Sequence, residues 1–83
     1  MLSMPKSFEE MAPDIIARIN QALGTPFVKD IARYEISAIN KPRTFHIHFQ
    51  KDNGKWDSVA EGESQTAQDY ADVVVKYIKS RQK

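Results

Sequence analysis

Apolar residues recur at three- and four-residue spacing in two stretches of this chain, and at two-residue spacing in three stretches between them. In the first stretch, Ile15, Ile16, Ile19, Ala22 and Leu23 fall on one helical face. Proline is tolerated in a first turn and not deeper, so a helix is predicted from about Pro13 to Leu23. Ser7 and Glu10 have capping-box spacing, which predicts a loose turn ahead of it. Gly24 suits the left-handed position past the last turn, and Pro26 blocks continuation. In the last stretch, Ala67, Tyr70, Ala71, Val74, Tyr77 and Ile78 repeat the helical pattern. A second helix is predicted from about Gln65 to Ser80, capped by Ser64 or Thr66.

The stretches between alternate as half-buried strands do. Tyr34, Ile36 and Ala38 form the first apolar set, Phe45, Ile47 and Phe49 the second, and Trp56, Ser58 and Ala60 the third. Asn53-Gly54 is a strong signal for a two-residue hairpin turn with positive φ at both positions. That turn pairs Phe49 with Ser58 and Ile47 with Ala60. A four-residue turn at 40–43 pairs Ile36 with Ile47 and Tyr34 with Phe49. Opposed residues share a face, so both hairpins place the same three sets together. The expected fold is α+β in the order α-β-β-β-α, a three-stranded antiparallel meander with both helices packed on one face. Residues 1–6 are expected to be flexible, 7–80 to form one domain, and 81–83 to make a basic end.

Composition narrows the chemistry. The chain has 83 residues and no cysteine, which removes disulfides, thiol catalysis and thiolate metal sites and fits a reducing, cytoplasmic setting. No apolar run is long enough to cross a bilayer, so no membrane partner is expected. Residues 1–6 contain no apolar stretch of the kind a secretory signal needs. Neither Ser58 nor Ser64 sits in a glycine-flanked elbow, and the three glycines build no phosphate loop. The chain is therefore read as no enzyme, with no cofactor.

The two histidines, His46 and His48, are two apart on one strand, with Cα atoms about 6.8 Å apart. In the expected register, Ser37 and Glu61 flank His46, while Glu35 and Val59 flank His48. This arrangement reads first as a polar outer sheet face, and second as a metal site or pH sensor. The outer face would comprise Arg33, Glu35, Ser37, Thr44, His46, His48, Gln50, Asp57, Val59 and Glu61. Trp56 is expected beneath the second helix. Basic residues gather at the hairpin pole: Lys29, Arg33, Lys51, Lys55, Lys76, Lys79, Arg81 and Lys83. Helix dipoles alone favour lysine at helix ends, and a phosphate-binding surface is the alternative.

The residues Lys41-Pro42-Arg43, the strand Phe45-His46-Ile47-His48-Phe49, and Gly62-Glu63-Ser64 ahead of an alanine-spaced helix resemble the double-stranded-RNA-binding domain. The resemblance covers Ser7 to Ile78 and implies the same helix, three strands, helix order. That family grips phosphates with a lysine cluster at the start of its second helix. The matching stretch here, Gln65-Thr66-Ala67-Gln68-Asp69, has no lysine and one acid.

The expected function is thus a small binding module acting by occupancy on a protein partner through the outer face. Edge-strand pairing with a partner or a second copy is a variant of it. The alternative is nucleic-acid binding through Lys51, Lys55, Lys76, Lys79, Arg81 and Lys83. A minor alternative is a metal site at His46 and His48.

Overall fold

The computed structural model describes residues 7–36, 39–40, 44–62, 64 and 66–81. Helix α1 spans Phe8–Leu23, strands β1, β2 and β3 span Val28–Ile36, Thr44–Lys51 and Trp56–Glu61, and helix α2 spans Ala67–Arg81. The strands form one antiparallel sheet in the order β1-β2-β3. The α-β-β-β-α order and the single helical layer agree with the sequence reading. The expectations for residues 1–6, Ser37, Ala38, residues 41–43, Glu63, Gln65 and Lys83 lie outside the described residues.

The core lies between the helices and one sheet face. Ile15 and Ile19 come from α1, Val28 and Ile31 from β1, Ile47 and Phe49 from β2, and Ala67, Tyr70, Ala71, Val74 and Ile78 from α2. α1 packs on β1 and on α2, and α2 packs along β3. No described helix is long and apolar enough to cross a membrane.

α1 begins five residues before the proline that was expected to start it. The Ser7 side chain caps it, accepting the Glu10 N–H at 3.2 Å. Phe8 meets the Tyr70 ring edge-on at 5.1 Å, and Met11 and Ala12 pack on the core. That burial outweighs the one hydrogen bond Pro13 forgoes, which lies on an exposed part of the helix. At the other end Gly24 is left-handed at φ 75°, and its N–H reaches the Asn20 and Gln21 carbonyls. The Thr25 N–H also reaches Asn20, which completes a Schellman ending.

Asn20 then ties the helix to the sheet. Its amide donates to the Val28 carbonyl at 3.0 Å and accepts the Val28 N–H at 2.8 Å. One side chain thereby satisfies both polar groups of a buried strand residue. Asn20→Ala is expected to cost about 2 kcal/mol, read as a lower urea midpoint with unchanged slope.

Strand register departs from the sequence reading in both hairpins. The second turn contains three residues, Asp52-Asn53-Gly54, closed by Lys51 N–H to the Lys55 carbonyl at 2.8 Å. The Gly54 N–H returns to the Lys51 carbonyl, and of the turn residues only Gly54, at φ 86°, has positive φ. This is a type I turn followed by a left-handed glycine, in place of the expected two-residue turn. The pairing moves by one residue, to Phe49 with Asp57 and Ile47 with Val59. In the first hairpin the last rung joins Ile36 to Thr44, and Ile31 pairs with Phe49. That is three residues from the expected pairing. Both shifts are odd, so β1 and β3 each present the opposite face to the core.

A bulge between Val28 and Asp30 breaks the alternation at the start of β1. It lets Val28 and Ile31, three apart, both face inward, which strict alternation forbids. α2 is capped by Thr66, which accepts the Asp69 N–H at 3.1 Å while Asp69 accepts the Thr66 N–H.

Burial holds the Tyr70 phenol above its ordinary 10.0. Arg33 works against that shift, while Glu61 and Asp69 add to it. The unfolded phenol loses its proton first, so stability falls as pH rises above about 10 toward the folded value. Urea midpoints measured across pH 8 to about 11 should show that decline, and Tyr70→Phe should flatten it.

Candidate functional site

Asp30, Ala32, Tyr34 and Ile36 of β1, Thr44, His46, His48 and Gln50 of β2, and Trp56, Ser58 and Ala60 of β3 share the sheet face away from the helices. No described element covers it. Tyr34 stands opposite His46, and Gln50 opposite Trp56, because of the shifted registers.

Four rings form a continuous cluster across the three strands. Tyr34 stacks on His46 at 5.9 Å and meets His48 edge-on at 4.4 Å, and His48 lies 6.2 Å from Trp56. The Tyr34 hydroxyl and Nε2 of His48 share a hydrogen bond of 2.7 Å. With the His48 proton on Nδ1, the hydroxyl donates. The buried Nδ1 of His46 has no hydrogen-bond partner among the described residues. Trp56 is 48 % exposed, Ile36 44 % and Tyr34 36 %. With Ile39 in the following connection, they are the exposed large apolar side chains of the described chain. The one charged residue among the face positions is Asp30, whose carboxylate accepts the Ile31 N–H.

Several residues assigned to this face by sequence lie on the other side. Arg33 pairs with Glu61 at 2.9 Å beneath α2, its guanidinium 3.9 Å above the Phe45 ring. The Glu61 carboxylate is fully buried and also accepts the Ser64 N–H. Asp57 accepts the Tyr77 hydroxyl, Val59 packs on the core, and Glu35 pairs with Phe45 at the exposed end of β1. The odd register shifts explain all five. Thr44, His46, His48 and Gln50 are on the open face as expected, and Ser37 is outside the described residues. Tyr34, Ile36, Trp56, Ser58 and Ala60, expected inside, are on the open face instead, and the first three are the large side chains that the sequence reading misses.

The carboxylates expected beside the histidines therefore face the opposite way. Among the described residues no group of three or more histidines or acids is placed to hold a metal ion. The cations divide as well. Lys51, Lys55 and Arg81 lie at the hairpin end, and Lys76 and Lys79 are exposed on α2. Arg33 belongs to the buried pair, and Lys83 is outside the described residues.

The open face can bind by contact and hydrogen bonding, with two imidazoles able to donate or accept. Compared with family models, with curated proteins and with solved structures, the chain matches none.

Proposed function

We propose that this chain is a non-catalytic binding module that docks a protein partner on its uncovered sheet face. The observation that carries the reading is the ring cluster of Tyr34, His46, His48 and Trp56 on a face whose one charge among the described residues is Asp30. Interface centres are enriched in aromatic residues and depleted of charge, and their binding energy concentrates in such anchors. The fitting partner offers an apolar, nearly neutral surface with a polar group for the imidazoles.

Size bounds the complex. Three strands and four alternate rungs span roughly 15 Å by 20 Å, or about 300 Å². A standard interface buries about 800 Å² per partner. The flanking turns therefore add contacts, or the complex is transient. A nucleic acid would need cations among the rings, and the one charge among the described face positions is the acid Asp30.

Affinity capture from the source cell with the wild type and with His46→Ala/His48→Ala tests the reading. The double variant should fold normally and retain the captured protein at least about tenfold less well. Equal retention would remove the open face from the account. Labelled single- and double-stranded RNA provides the other arm. Saturable binding that is lost on charge reversal at Lys76 and Lys79 would favour the nucleic-acid reading.

A further inference from the structure

A second surface lies at the hairpin end, on the helix-covered side of the sheet. There a cleft of about 120 Å³ opens between the last turn of α2 and the strands. Phe49 and Ile78 are buried and Phe27 half-buried, which makes its inner wall apolar. Two cations line it as well, Lys51 from β2 and Arg81 from α2. Among the described residues neither is ion-paired. Arg81 lies 5.3 Å from the centre of the Tyr77 ring. The single acid is Asp57. Its Oδ1 accepts the Ser58 N–H at 2.8 Å and the Tyr77 hydroxyl at 3.2 Å, while Oδ2 has no donor among the described residues.

We propose that this cleft takes the C-terminal residue of a partner peptide with an apolar side chain. The volume is somewhat below that of cavities that hold one benzene-sized group, about 150 Å³, so one leucine-sized side chain fits against Phe27 and the accessible edge of Ile78. The α-carboxylate meets Lys51 and Arg81, and the last amide N–H meets Oδ2 of Asp57. Charge selects the anion. Two cations stand against one carboxylate and the carbonyl end of α2, which carries about half a negative charge. The small positive remainder suits a singly charged carboxylate better than a phosphate dianion. This site is separate from the open face, and neither reading depends on the other.

Acetyl-Gly-Gly-Leu with a free C-terminus, the same peptide amidated, and inorganic phosphate are titrated into the ¹⁵N-labelled chain. The free acid should bind with a Kd in the millimolar range and move the amide signals of Lys51, Asp57, Tyr77 and Arg81. The amidated peptide should bind about tenfold more weakly or worse. Lys51→Gln and Arg81→Gln should each weaken the free acid about fivefold while leaving the spectrum dispersed. Equal binding of acid and amide overturns the proposal, and this comparison uses wild-type protein alone. Phosphate moving the same signals as strongly, peptide shifts centred on Tyr34 and Trp56, or no binding at about 20 mM peptide would each overturn it too.

Discussion

Arg33→Ala is expected to destabilise the domain by about 3 kcal/mol. The variant leaves the Glu61 carboxylate with no exposed surface and no cation. Removing one member of a buried pair costs about 3–5 kcal/mol, and Arg33 keeps 26 % of its own side chain exposed, which places the loss at the lower end. Packing adds to it, since the guanidinium lies over Phe45 and near Tyr70. A domain this small has about 4–12 kcal/mol in total, so the loss is large. Arg33→Ala/Glu61→Leu should recover much of it, because an apolar replacement of both partners leaves no charge to desolvate. Urea denaturation of the two variants measures this directly. Were Arg33 and Glu61 on the solvent face, as alternation alone suggests, Arg33→Ala would change stability by less than about 0.5 kcal/mol.

That contrast shows how much of the molecule the sequence makes legible. The helical patterns ending at Leu23 and Ile78 survive in the structure, as does the left-handed Gly24. The β2 pattern also survives, with Ile47 and Phe49 inward and His46 and His48 outward. What alternation cannot supply is turn length. Asp52-Asn53-Gly54 reads equally well as a two-residue turn at Asn53-Gly54, and the difference of one residue reverses β3. In β1, Tyr34 and Ile36 look like a core pattern, yet the three-residue register shift turns Ile31 inward instead, and a bulge before it brings Val28 in as well. Both register shifts are odd, so the pairings that the two expected turns imply agree with each other while both differ from the observed ones. One signal was visible. The two-residue turn put Ser58 inside and Val59 outside, the reverse of what burial favours.

The corrected register changes which residues carry the proposed interface. Trp56→Ala is expected to weaken partner binding by about 2–4 kcal/mol, or thirtyfold and more. Its effect on folding should stay within about 1 kcal/mol, because the side chain is half exposed and stands on the sheet face away from the helices. Tyr34→Phe separates contact from hydrogen bonding. It keeps the ring against both imidazoles and removes the hydroxyl that holds His48, so a smaller loss of about 1 kcal/mol is expected. Titration calorimetry against the captured partner measures both, and thermal melts exclude unfolding as the cause.

Trp56 is the only tryptophan in the chain, so 5-fluorotryptophan labelling gives a single ¹⁹F resonance at the β3 edge of the proposed contact. Titrating the captured, unlabelled partner should shift or broaden that resonance in proportion to complex formed. A partner that binds by an independent measure and leaves the resonance unmoved would show that the open face is not where it docks.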